Sequence, residues 1–125
     1  MPHITVEYSK NLEQSADVSE LIKAVHKAAI GTKAFPVSAI RTRGASRKNF
    51  RVADGDPRNA FLAVVIRVAQ GRTPELRHEI GSAIFESVTN HMRDVSAAIP
   101  LAITVELQEI DQTAAFRHST IPANP

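Results

Sequence analysis

The sequence predicts an α+β fold: two tandem β-α-β units forming one four-stranded mixed sheet, with two helices on one face. Three observations predict it. Residues near both ends alternate apolar and polar at strand period, two capped segments repeat apolar residues at helical spacing, and the order strand–helix–strand occurs twice, each time over about fifty residues, a length that suits a crossover unit. Right-handed crossovers put both helices on one side of the sheet. The other side then lacks cover, and an apolar uncovered face calls for association with further copies.

The elements follow in order. His3 to Tyr8 alternates, with Ile4, Val6 and Tyr8 on one face and His3, Thr5 and Glu7 on the other, which predicts a strand. Asn11 to Ala16 is polar and reads as a loop. Asp17 and Glu20 have the spacing of a capping box, Val18, Leu21, Ile22, Val25 and Ala29 repeat at helical spacing, and Gly31 is the expected stop. Pro36 marks a turn, and Val37 to Arg43 reads as a second strand with Ala39, Arg41 and Arg43 on one face. Gly44 to Arg58 reads as a polar loop with a turn at Asp54-Gly55-Asp56-Pro57.

Ala60 to Ala69 is an almost unbroken apolar run, the pattern of a strand buried on both faces. Thr73-Pro74-Glu75 predicts a helix start, with Thr as N-cap, Pro at the first helical position and an acid in the first turn. Leu76, Ile80, Ala83, Ile84, Val88, Met92 and Val95 continue it until Pro100. Leu101, Ile103, Val105 and Leu107 alternate with Ala102, Thr104, Glu106 and Gln108 in a fourth strand. The organisation is one domain over 1–125, with repeat one at about 2–44, repeat two at about 59–110 and an aperiodic tail over 111–125.

Composition narrows the function. The chain has 125 residues, 43% of them apolar, enough to fill a core. No run approaches the roughly 18 apolar residues of a membrane span. Met1 to Tyr8 lacks the basic and apolar regions of a signal peptide, so no membrane partner and a cytoplasmic location are expected. The absence of cysteine excludes thiol chemistry. A net charge of +2 is too weak to argue by itself for a nucleic-acid partner, and none is expected; Arg41, Arg43, Arg47, Lys48 and Arg51 concentrate positive charge within eleven residues, a field that suits phosphates or small carboxylates.

Met1-Pro2 running straight into a strand, a helix and then Ser38-Ala39-Ile40-Arg41 resembles the tautomerase superfamily, and Gly71-Arg72-Thr73 resembles its Gly-Arg-Ser/Thr signature. Pro2-His3-Ile4-Thr5-Val6-Glu7, Phe35-Pro36, Ile40-Arg41-Thr42-Arg43 and Ala53-Asp54-Gly55 extend the resemblance, from Met1 to about Phe116, to the 5-carboxymethyl-2-hydroxymuconate Δ-isomerase family. Gly44 to Val52, basic with Phe50 as its one aromatic, and Ser119 to Pro125 depart from that pattern. The resemblance implies a tautomerase-like fold, a homotrimer, no metal and no cofactor. It also implies a cofactor-independent isomerase that moves a proton between carbons of an unsaturated 2-hydroxy or 2-keto carboxylic acid in aromatic-compound catabolism. A superfamily dehalogenase or hydratase, and a non-catalytic trimeric binding protein using the Arg41–Arg51 segment, are the alternatives.

Pro2 is the candidate base. A neutral amine accepts protons, and burial and neighbouring cations favour the neutral form. Arg41 and Arg72 are the candidate substrate-binding residues, because a guanidinium grips a carboxylate in two places and Arg72 precedes a helix N-terminus. Arg43, farther along the strand, is a possible third. Arg47, Lys48 and Arg51 fit a solvated loop, His3 and Glu7 a structural role, and Asp54 its turn. His26, His78, His91 and His118 lack metal-ligand spacing, so no metal site is inferred. Phe116 is a candidate for packing across a subunit boundary.

The proposed base exists only as a free amine, so the mature native protein should be lighter by one methionine in intact-mass spectrometry. A homogeneous full-length product from the native host would exclude Pro2 as the base.

Overall fold

The computed structural model describes residues 1–123; Asn124 and Pro125, the end of the expected tail, lie outside the described residues. The elements are β1 (His3–Ser9), α1 (Val18–Gly31), β2 (Arg41–Arg47), β3 (Ala60–Ala69), α2 (Pro74–His91), α3 (Arg93–Ala98) and β4 (Leu101–Ile110). The sheet order is β2-β1-β3-β4. Each crossover makes a parallel pair, β1 with β2 and β3 with β4, and the antiparallel β1–β3 pair joins the two at the centre. No helix among the described residues is long and apolar enough to cross a membrane.

Register decides which residues meet. Ile4, Val6 and Tyr8 of β1 lie opposite Ile66, Val64 and Leu62 of β3, and all six are buried. They form one core with Leu21, Val25 and Ala29 of α1 and Ile80, Ile84 and Val88 of α2. Both helices start as their sequences require: Asp17 Oδ1 accepts from Glu20 N at 3.2 Å, and Thr73 Oγ1 from Leu76 N at 3.1 Å. α1 packs close to Gly44: a Cβ there would stand 2.8 Å from Ile22 Cδ1, the free end of a side chain that would have to turn aside.

Several expectations change. Val37–Ala39 is a 3-10 turn, not strand, and β2 begins at Arg41 and runs past residue 44 to Arg47. Pro36 sets this up: its carbonyl accepts from Ala39 N at 3.0 Å, so the backbone is satisfied locally before pairing with β1 starts. As an edge strand, β2 tolerates the polar residues that made 44–47 read as loop. The expected loop at 11–16 is largely a 3-10 turn, Lys10–Gln14, around buried Leu12. Gly31 is the last residue of α1 rather than its stop, and the left-handed residue is Lys33 at φ 57°. The second helix breaks at Met92, where φ −95° and ψ 10° leave the helical region before α3 continues.

The largest change concerns β3. Within one chain it is buried on one face only: Ala60, Leu62, Val64, Ile66 and Val68 are buried, while Arg67 is exposed and Phe61, Ala63 and Val65 are half-buried. The open face is therefore mixed. An apolar strip, Phe61-Ala63-Val65, runs between His3, Thr5 and Glu7 of β1 and Ala102, Thr104 and Glu106 of β4.

This geometry separates two substitutions. Leu62→Ala empties a closed core site and should cost about 2–5 kcal/mol in chemical denaturation at any protein concentration. Val65→Ala acts on the open face, and its cost should grow with protein concentration if copies cover that face. Parent and variant chains that both sediment as monomers from nanomolar to micromolar protein would show the face uncovered.

Candidate active site

Pro2 is buried at the tip of the central strand, and its carbonyl accepts from Arg41 N at 3.2 Å, the contact that opens the β1–β2 ladder. Arg41 is thereby fixed beside the amino terminus, and its Nη1 donates to Ala39 O at 2.8 Å. Arg72 arrives from the other unit. Gly71, at φ 113°, supplies a turn that other residues rarely adopt, and Thr73 caps α2. Between them the Arg72 side chain turns back. Nη1 donates to Ala69 O at 3.1 Å, Nη2 to Ala34 O at 3.3 Å, and the guanidinium lies 4.8 Å from the Phe35 ring centre. Arg41 and Arg72 are both half-buried and held by backbone carbonyls.

The electrostatics bring these groups together. Burial lowers the α-amino group of Met1 below its ordinary value of 8.0, and Arg117, Arg72 and Arg41, in that order, push it the same way. Two of the three cations are those the sequence singles out. Arg117 is not. It sits in the tail, and Nη2 donates to Gln112 Oε1 at 2.7 Å. Met1, His3, Ile110, Gln112, Ala115, Phe116 and Arg117 line a pocket of about 70 Å³ between the amino terminus, the end of β4 and the tail. Nothing in the sequence pattern marked Arg117, because the tail has no period and its nearness to Met1 is tertiary.

His3 has a larger place than its sequence reading allowed. It lies opposite Arg41 on one side and Arg67 on the other, and Arg43 Nη1 meets its Nδ1 at 3.3 Å. Burial first, then Arg43, Arg41, Arg67 and the amino terminus hold the imidazole below its ordinary 6.5, so it is neutral near pH 7. An arginine can only donate, so Nδ1 accepts and Nε2 carries the proton. Arg43 itself is exposed and reaches the amino terminus only through His3.

The remaining residues have structural partners. Arg47 Nε donates to Glu7 Oε2 at 2.6 Å across the exposed sheet edge, and Asp54 Oδ1 accepts from Asp56 N and Asn59 Nδ2 within its turn. His26 Nδ1 is 2.8 Å from Thr42 Oγ1, tying α1 to β2. Lys48 and Arg51 are exposed, as is Phe116 at 93%.

The four-stranded, doubled β-α-β sheet is that of a tautomerase-type isomerase. The 5-carboxymethyl-2-hydroxymuconate isomerase family model matches residues 2–124, and the chain belongs to that family. The chain is 29% identical over 123 residues to the 5-carboxymethyl-2-hydroxymuconate Delta-isomerase of Escherichia coli, covering 98% of each chain. A crystal structure of a 5-carboxymethyl-2-hydroxymuconate isomerase from Deinococcus radiodurans R1 superposes with a TM-score of 0.89 at 28% identity, covering 96% of this chain and 90% of that one. The Q0 fused 4-OT wild type symmetric trimer shares the fold, with a TM-score of 0.66 at 18% identity over 89% of this chain and 87% of that one.

In the chain that retains Met1, the Met1 amine should titrate below 8.0 by NMR. Removing a neighbouring cation stabilises the neutral form less, so Arg117→Ala, Arg72→Ala and Arg41→Ala should each raise that midpoint, with Arg117→Ala raising it most. Three unchanged midpoints would place the guanidinium groups too far away to act.

Proposed function

We propose that the chain catalyses proton transfer between carbons of an unsaturated 2-hydroxy or 2-keto carboxylic acid of the 5-carboxymethyl-2-hydroxymuconate type, with Pro2 as the base. The carrying observation is the place of Pro2, buried at the tip of β1 with its carbonyl accepting from Arg41 N at 3.2 Å, next to a Met1 amine whose basicity burial, Arg117, Arg72 and Arg41 lower. With Met1 attached, the Pro2 nitrogen is an amide and cannot accept a proton. Once Met1 is removed, the secondary amine lies at the tip of β1, held by a rigid ring. It removes a proton from the substrate. The resulting dienolate is anionic, and Arg41 and Arg72 stabilise it with donors already fixed by Ala39, Ala69 and Ala34. The ammonium returns the proton at another carbon, which completes the isomerisation without a cofactor.

Arg43 contributes at one remove, by holding His3 in its neutral form. The enzyme works as a homotrimer in the cytoplasm, in the breakdown of aromatic compounds. The trimer is supported by the half-open apolar strip on β3 and by the fold shared with a symmetric trimer.

Replacing Pro2 should remove the roughly 10²–10⁴-fold contribution of a positioned base. Arg72→Ala or Arg41→Ala should lower kcat and kcat/KM together, by about tenfold to a hundredfold for a lost bond to a charged group. Steady-state kinetics on an unsaturated 2-keto acid decide it. A raised KM with unchanged kcat would make the arginines simple carboxylate binders, and wild-type constants in both variants would put them outside the site.

A further inference from the structure

The open face of the sheet carries cations at its amino-terminal end that have no substrate role in the reading above. His3, Thr5 and Glu7 of β1 lie on this face. Register sets His3 opposite Arg67 of β3, and Thr5 opposite Arg43 of β2. Pro2 is buried, and strand alternation sends it to the other face. Arg43 and Arg67 are both exposed, and neither forms a salt bridge among the described residues. Gln108 lies opposite Arg67, and the acid next along this face of β4, Glu106, lies opposite Val65. Glu7 is already paired with Arg47, at 2.6 Å.

The three groups form one set of donors. Arg43 Nη1 meets His3 Nδ1 at 3.3 Å. A guanidinium can only donate, so Nδ1 accepts and the imidazole keeps Nε2–H as a donor. Arg43 has further N–H groups beyond that bond, and Arg67 brings a second fork from the opposite side. Side chains facing each other on neighbouring strands stand about 5 Å apart at Cβ, less than the length of an arginine, so both forks can converge over His3. A carboxylate presents two oxygens in one plane. A tetrahedral dianion presents oxygens in several directions and twice the charge, which suits donors arriving from β2, from β3 and from the ring between them. Such an ion would also offset the repulsion of cations set side by side.

We propose that His3, Arg43 and Arg67 form a binding site for a tetrahedral dianion of the inorganic phosphate class, on the open face of the sheet and separate from the amine. The site needs neither Met1 nor the tail, because its residues lie in β1, β2 and β3. It goes beyond the proton-transfer reading and stands or falls independently of it.

The test uses the full chain and inorganic phosphate near pH 7, with ionic strength held constant by chloride. Calorimetry should give saturable binding. Arg43→Gln and Arg67→Gln should each weaken it about tenfold, the low end for a lost bond to a charged group. Arg67→Lys, which keeps the charge without the fork, should retain part of the affinity. Arg72→Ala should bind phosphate as the parent does. NMR supplies a second readout in sulfate, whose charge is constant while His3 titrates. A dianion beside the ring favours the imidazolium, so the His3 midpoint should rise in sulfate relative to chloride, and Arg67→Gln should reduce that rise. A non-saturating response, the mark of loose counterions, would overturn the site. So would parent-like binding in both glutamine variants, or an unmoved His3 midpoint. Loss of binding in Arg72→Ala alone would place the ion at the amine instead and overturn it equally.

Discussion

The position of the amino terminus depends on one constraint, the placement of β1 between two partners. β1 pairs in parallel with β2 and antiparallel with β3, and its buried residues Ile4, Val6 and Tyr8 lie at the centre of the core. A strand so placed cannot slip, because a shift of one residue would turn those three outward and His3, Thr5 and Glu7 inward. The register that keeps them inside sets His3 against Arg41 and Arg67, and Pro2 one step further out. The start of β2 and the end of β3 therefore converge on the chain terminus, and Arg72 follows directly from the end of β3. Core packing thereby fixes where the chain terminus stands.

That convergence concentrates like charge. A chain with a net charge of only +2 gathers Arg41, Arg43, Arg67, Arg72 and Arg117 around one end of its sheet. Cations so close repel one another, and the cost is offset where each guanidinium finds acceptors: Ala39 O for Arg41, Ala69 O and Ala34 O for Arg72, Gln112 Oε1 for Arg117. No carboxylate forms a salt bridge with these five among the described residues. The field is thus left unneutralised, which disfavours a charged amine and a charged His3 alike and favours an anionic ligand.

The sequence was most legible where a residue's role is set by its neighbours along the chain. Strand alternation found β1 and β4, helical spacing with Asp17 and Thr73 as caps found α1 and α2, and an apolar run found β3. It failed at β2, where Pro36 closes a turn in residues that look extended, and where an edge position lets Gly44 to Arg47 stay polar. Of the arginines gathered at the amino terminus, Arg41 and Arg72 were legible because they stand in motifs next to a strand start and a helix start. Arg67 was hidden inside an apolar run, where only the alternation of burial along β3 reveals it. Arg117 was hidden in an aperiodic tail, since contacts between residues more than a hundred positions apart leave no local pattern.

The open sheet face links assembly to chemistry. Phe61, Ala63 and Val65 form an apolar strip on the same face as His3, Arg43 and Arg67, and β1 and β3 carry that face to the amino terminus. Water on this face now screens the arginines from the amine. Copies packed over the strip would exclude that water and lower the local dielectric, so each guanidinium would act on the amine more strongly than in a lone chain. The same burial would disfavour the ammonium directly, so both effects lower the basicity of the terminus. A half-apolar face beside a cluster of cations is a poor surface for a monomer, and covering it would strengthen the field those cations exert on the amine.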